Sequence, residues 1–436
     1  MEIRVSEYNV INNGQTLVTR DLQKIIDLAY EKNAKLIFDK GIYLTAPLFL
    51  HSNMEVYFED GLILLGTTNE EEIPLIDTRA AGINCKWYPA VLNIIDCDNV
   101  HIYGNGVIDG NGKYWWNKYW GEDMKGGSRA IYDKKGLRFL CDYDVKRPRN
   151  LLVQNSTNIT VEDITSKESG FWNIHILYSN EVILNNIKVS SGALNSPSTD
   201  GIDIDSSYNV VVKNSTIECN DDSISIKAGR DMDGILTNIP SHDIKIINCK
   251  FLRGFGVTIG SEVSGGVYNV DIVDNSFINT DCGFRIKSSI VRKGFIKNIS
   301  FKNIKMRNVK YAFHLYLNWN PAYSICKLPN GYNEEVTDII KKLTQEVPSS
   351  IKNTVVSDIF IENVEADFDE DYQGISRAFN LEGFKDSPIS NVNLNNVFIK
   401  AKEYGVLNYV SNIKYNNVTI DIVDKEDINN NVYDNR

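Results

Sequence analysis

The sequence predicts an all-β fold, a single-domain right-handed parallel β-helix with an N-terminal capping helix, and three observations predict it. A short unit recurs in which Asn, Asp or Glu precedes a β-branched residue at the head of an alternating strand. It stands at Asn158-Ile159, Glu181-Val182, Asn209-Val210, Asp243-Ile244, Asn269-Val270 and Asn298-Ile299, then at Asp358-Ile359, Asn391-Val392 and Asn412-Ile413. The first six heads are 23 to 34 residues apart, the length of one solenoid coil. Short strands alternate with Asn/Gly/Ser turns and no helical pattern intervenes, which fits stacked coils. A second strand type, an apolar-x-apolar core, follows each head at Ile174-x-Ile176, Ile202-x-Ile204, Ile224-x-Ile226, Val257-x-Ile259, Phe284-x-Ile286 and Phe313-x-Leu315. A coil buries that inward row only when another coil stacks on it. The Leu-x-x-Leu-x-Leu frame of a leucine-rich repeat and the longer four-stranded units of a propeller do not occur.

The elements follow in chain order. Residues 1–50 form an N-terminal cap region, in which residues 20–32 have Leu22, Ile25, Ile26 and Leu28-Ala29 at helical spacing. That helix would cover apolar rows and backbone edges at the open end of the solenoid. The aromatic run 113–120 is expected in a loop after Asp109-Gly110, either stacking on sugars or packing on the coil. Residues 320–350 lack the coil signature and contain a second helical pattern, Val336, Ile339, Ile340 and Leu343, ended by Pro348; they read as an insertion on one face and a candidate lip of the site. No Pro/Ser-rich linker divides the chain, so residues 1–436 are expected to form one domain.

Composition narrows the function classes. The 436 residues are 42% hydrophobic, enough for a core, and carry a net charge of −11. No Lys/Arg run stands out, which argues against nucleic acid or an anionic membrane as partner. The seven cysteines are scattered and form no C-x-x-C pair, so neither a disulfide framework nor a zinc site is favoured. The first residues show no apolar leader, and no run of eighteen apolar residues occurs. The expectation is a cytoplasmic protein with reduced thiols, or a secreted one if a leader precedes the chain; the oligomeric state is not set by these features.

With the apolar pairs pointing inward, the residues between them face out. One outward column is then His175, Asp203, Ser225, Thr258, Arg285, His314; its neighbour is Leu177, Asp205, Lys227, Gly260, Lys287, Tyr316. Two positions ahead of each pair lie Trp172, Asp200, Asp222, Phe255, Cys282 and Tyr311. Asp200 and Asp222 share a column on adjacent coils, about 4.8 Å apart in the stacking direction, with Asp221 beside them. Crowded carboxylates cannot all ionise, which prepares one acid and one base. Asp203 and Asp205 alone would read as turn residues. A trio in register, followed by Arg285 and Lys287, reads as a carboxylate site beside an anion site. The same trio could hold Ca²⁺ in a lyase, with Lys227, Lys287 or Arg285 as base.

Ordered motifs along the chain now carry a resemblance. Thr199-Asp200-Gly201, Asp221-Asp222, Gly254-Phe255-Gly256 with Ile259-Gly260-Ser261 behind it, and Arg285-Ile286-Lys287 resemble the motifs of glycoside hydrolase family 28, the polygalacturonases and rhamnogalacturonan hydrolases. Trp172-Asn173-Ile174-His175, Lys227-Ala228-Gly229-Arg230-Asp231 and Gly260-Ser261-Glu262 are similar to exo-acting bacterial members. The likeness spans roughly residues 5–320. It implies inverting hydrolysis of an α-galacturonosyl bond in an anionic pectic oligosaccharide, with no cofactor and no metal. Asp221 would protonate the leaving oxygen, Asp200 and Asp222 would hold and deprotonate water, and Arg285 and Lys287 would bind a sugar carboxylate. His175, Trp172, Lys227 and Phe255 are further substrate-binding candidates.

Three departures from the family pattern stand out. Phe255 replaces a histidine, which either packs passively or provides an apolar wall for a rhamnose methyl. Ser198 stands where Asn is typical. The family's later tyrosine falls at Trp319, with Tyr316 and Tyr323 near. A rhamnogalacturonan-type hydrolase, a calcium-dependent lyase and an inactive carbohydrate-binding relative are the alternatives. His51, His101 and His242 read as structural, and His314 carries the same caution.

Overall fold

A computed structural model describes residues 1–193 and 195–423. The repeat heads occupy left-handed backbone, with φ between 52° and 59° from Asn158 to Asn412. Asn and Asp tolerate that conformation better than other side-chain-bearing residues. Behind the heads the apolar residues stack in register: Ile159 opposite Val182, Val182 opposite Val210, and on through Ile244, Val270, Ile299, Ile359 and Val392 to Ile413. The heads also bond along the stack. Asn269 Nδ2 donates to Asp243 Oδ1 at 2.9 Å, and Asn298 Nδ2 donates to Asn269 Oδ1 at 2.7 Å. Stacking begins before the first predicted head, since Val100 pairs with Ile159 and Asn99 has φ 58°.

Two long parallel sheets result, and the coils wind right-handed. One sheet has eleven strands added coil by coil, from Leu48–Phe49 to Glu403–Asn408. Its central strands are Ile174–Leu177, Ile202–Asp205, Ile224–Lys227, Val257–Ile259, Cys282–Lys287 and Tyr311–Tyr316. Their apolar pairs all lie within one continuous core, and Ile202, Ile204, Ile224 and Ile226 are completely buried. Burying each such side chain contributes about 1.5–3 kcal/mol, so one coil alone cannot hold its row dry.

The helix predicted at 20–32 spans Thr19–Glu31 and buries Leu22, Ile25, Ile26 and Ala29 in the main core. The rest of the first fifty residues already contributes coil strands, Glu2–Arg4 pairing with Lys35–Phe38 and Asn13–Leu17 with Gly41–Thr45.

Insertions wall the outer face of the eleven-stranded sheet. An antiparallel hairpin, Ile76–Ala80 with Ile83–Trp87, reaches over its central strands. Helices Gly112–Trp120, Ser128–Lys134 and Arg138–Asp144 lie between coil strands Val107–Asp109 and Arg149–Gln154. The aromatic run expected in a loop is therefore helical. Trp115, Trp116 and Tyr119 point inward and are buried, and Trp116 Nε1 donates to the Ser169 carbonyl at 2.9 Å, so packing accounts for these three rings. The 320–350 stretch forms helices Pro321–Ser324 and Asp338–Thr344. Val336 lies outside the second helix and is exposed, whereas Ile340 and Leu343 pack with Trp87 and Leu140. All seven cysteines are free.

Candidate active site

The strand register places the acids as the sequence pattern implied. Ile202 pairs with Ile224, and the Gly201 N–H donates to the Asp222 carbonyl at 2.9 Å, which sets Asp200 and Asp222 at equivalent points of adjacent coils. Gly201 is required there: a Cβ would lie 2.3 Å from the Ser223 carbonyl oxygen. One carboxylate oxygen each from Asp200, Asp221 and Asp222 lies within 4.8 Å of the others.

Environment separates the three. Asp222 is completely buried and accepts from Lys287 Nζ at 2.6 Å, Thr258 Oγ1 at 2.8 Å, Arg285 Nη1 at 3.4 Å and Ser225 Oγ at 3.4 Å. Burial alone would raise its pKa, but Lys287, Arg285 and Lys227 outweigh it and hold the group down to about 2. Asp221 is only half-buried, yet desolvation and the adjacent Asp222 charge raise its pKa. Asp200 is pushed well above the usual carboxylate range by burial, Asp203 and Asp221. The site thus sets one carboxylate held ionised beside two whose proton affinity is raised. A Ca²⁺ ion would need about 6–8 oxygen ligands; both Asp222 oxygens are already committed to cations and hydroxyls, so the arrangement suits acid–base work rather than a cation cage.

Lys227 Nζ lies 3.6 Å from Asp200, 3.5 Å from Asp203 and 3.5 Å from Glu262, and 5.0 Å from the centre of the Trp172 ring. Glu262 is held ionised despite burial by Lys227 and Arg292. Lys287 Nζ sits 4.6 Å from the Trp319 ring centre, and the Arg285 guanidinium lies 4.8 Å from that of Phe255. Phe255 therefore packs a π face on the cation at the position of the family histidine.

A pocket of about 100 Å³ gathers Asp200, Asp221, Lys227, Lys287 and Trp172. Its walls come from the hairpin at Ala81, from Arg138 and Asp142 of the third inserted helix, and from Trp319 and Tyr323. A second cleft of about 460 Å³ opens beside Asn220 and Phe255.

One expected contact fails. His175 is completely buried, its ring edge-on to Trp172 at 4.8 Å and its Nε2 3.7 Å from Asp205, so it cannot touch a sugar. The outward column was expected to face solvent, but the hairpin covers it: Arg79 Nη1 bonds Asp205 at 2.7 Å. Burial and Arg149 lower the His175 pKa to about 3, keeping the ring neutral. Asp205 is an ion-pair partner rather than a turn residue, and Asp203 is fully buried with its pKa raised. His51 and His242 stack on tyrosines, in keeping with structural roles.

Sequence reasoning missed Arg138, Asp142 and Glu262 as lining residues. The i,i+4 pair Arg138–Asp142, closing at 2.7 Å, was the available signal for the first two.

A family model described as glycosyl hydrolases family 28 matches residues 77–376. A probable polygalacturonase of Vitis vinifera is 26% identical over 91% of this chain and 74% of its own length. An exo-poly-alpha-D-galacturonosidase of Dickeya chrysanthemi is 27% identical over 70% of this chain, which spans only 55% of that relative. The solved structure of a hyperthermoactive exopolygalacturonase from Thermotoga maritima matches with a TM-score of 0.79 at 25% identity, covering 97% of this chain and 92% of that one. The family match takes in more than half of the chain, including the acid trio and the Arg285–Lys287 pair, and the chain therefore belongs to family 28 of the glycosyl hydrolases and is a glycoside hydrolase.

Proposed function

We propose that the enzyme hydrolyses α-galacturonosyl bonds of pectin-derived oligosaccharides, releasing galacturonate from the non-reducing end with inversion. The relatives named above support the substrate class. The walled pocket supports the exo reading: the hairpin, the inserted helix and the Trp319–Tyr323 segment stand around Asp200 and Asp221, an arrangement suited to receiving a chain end.

Asp221, kept protonated, donates to the glycosidic oxygen as its bond to the anomeric carbon breaks. Water held between Asp200 and Asp222 adds to that carbon from the other face as the pair takes up its proton; the pair then releases that proton to solvent, and solvent reprotonates Asp221. Arg285 and Lys287 receive a sugar carboxylate. The spacing within the trio is shorter than the roughly 6.5–9.5 Å usual for inverting pairs. Inversion is taken from the likeness of the Asp200, Asp221 and Asp222 motifs to those of the family.

Proton NMR and chain-length analysis of trigalacturonate digests test this reading. Galacturonate and digalacturonate should appear from the first turnover, the monomer initially as its β anomer. Random fragments from polymer would exclude exo action, α monomer would exclude inversion, and ultraviolet absorbance from an unsaturated product would mark a lyase. A second reading, cleavage of galacturonosyl–rhamnose bonds, is favoured by Phe255, whose half-buried ring lines the adjoining cleft where a methyl group could pack. Faster turnover of rhamnogalacturonan oligomers would select it.

A further inference from the structure

The site has two poles of surplus positive charge. At one, Arg285 and Lys287 share the single carboxylate Asp222. At the other, Arg138 and Arg147 share the single carboxylate Asp142, at 2.7 and 3.3 Å. Lys227, by contrast, faces three carboxylates and has no charge to spare. Arg147 is completely buried, donates to the Pro197 carbonyl at 2.7 Å and lies against the Tyr119 and Phe171 rings, so it cannot turn outward. The Arg138 side chain is 19% exposed and lines the pocket that encloses Asp200 and Asp221. Among the described residues only its Nη1 is hydrogen-bonded, to Asp142, and its guanidinium sits 4.9 Å from the Tyr323 ring centre. Nε and Nη2 remain as donors, in the geometry that binds a carboxylate.

We propose that Arg138 determines specificity by binding the carboxylate of the chain-terminal galacturonate, with Asp142 positioning it. The reading rests on the exo hydrolysis proposed above. Two uronates flank the scissile bond, and two cationic poles answer them: Arg285 and Lys287 on the coil wall, with Arg285 against the Phe255 ring that lines the second cleft, and Arg138 on the inserted helix that walls the pocket. Because this contact is made equally in ground and transition states, its loss acts on KM more than on kcat.

The test compares binding of D-galacturonate and D-galactose by calorimetry for wild type, Arg138→Gln and Arg138→Lys, alongside hydrolysis of trigalacturonate. Wild type should prefer the uronate, and Arg138→Gln should lose roughly 100-fold of that preference, the scale expected when one partner of a desolvated charge pair is removed. KM should rise while kcat changes little, and Arg138→Lys should fall between the two. A preference unchanged in Arg138→Gln, or a loss confined to kcat, overturns the proposal. Should Arg138→Gln fail to fold, Arg138→Lys decides: roughly tenfold weaker preference supports the assignment and wild-type preference overturns it, since Lys lacks the guanidinium fork. Wild-type inactivity on trigalacturonate would instead defeat the hydrolase reading, independently of Arg138.

Discussion

Asp221 and Asp222 are neighbours in sequence whose pKa values are shifted in opposite directions, and the difference lies in what surrounds each. Asp222 points into Lys287, Arg285 and Thr258; Asp221 faces the pocket beside that fixed negative charge. Activity should therefore fall as pH drops through the Asp222 pKa of about 2, and fall again as pH rises through the raised pKa of Asp221. Removing a cation beside a carboxylate raises its pKa by about 1–3 units. In Lys287→Met the acidic limb of kcat/KM should move upward by at least about one unit, while the alkaline limb stays with Asp221. An unmoved acidic limb would show that Asp222 is not the ionised partner. The trio was legible because period-two alternation and coil length fix its register. His175 was misread because nothing local signals that a hairpin from residues 76–87 would cover the outward column. Arg138 escaped because it sits on an inserted helix distant in sequence from the coils, and Glu262, quoted only within the Gly260-Ser261-Glu262 motif, because nothing local signals its pairing with Lys227.

At the level of elements, the left-handed corner residues hold the coils in step. Asn298 has φ 57° and bonds Asn269 at 2.7 Å. Asn298→Ala should destabilise by about 1–2 kcal/mol, since alanine resists left-handed backbone and breaks the ladder. Asn298→Gly should recover the backbone part. Denaturant midpoints at unchanged slope measure both; equal losses for the two variants would show that backbone conformation is not what asparagine supplies. The heads were readable as a repeat because each coil needs the same corner. The run 113–120 was not, because five aromatics in eight residues carry no clean period, and only burial against Ser169 and the neighbouring coil makes it a helix.

For the whole molecule, the solenoid and its insertions divide the work. The stacked coils place Asp200 and Asp222 on adjacent rungs and Arg285 and Lys287 together two rungs further on, so spacing follows from sheet geometry rather than from loop conformation. The insertions convert that open wall into a walled pocket and bury the polar column beneath it. The wall was foreseeable from periodicity; of the pocket only the 320–350 lip was, since Tyr323 lines it, whereas the hairpin and inserted-helix walls join segments as far apart as Ala81 and Trp319. The most direct measurement of the central claim is kcat on trigalacturonate for Asp221→Asn beside wild type, with folding checked by thermal melting. Loss of the general acid should lower kcat by at least about 10²–10⁴-fold while the melting curve remains cooperative. A folded Asp221→Asn enzyme with wild-type kcat would contradict the account.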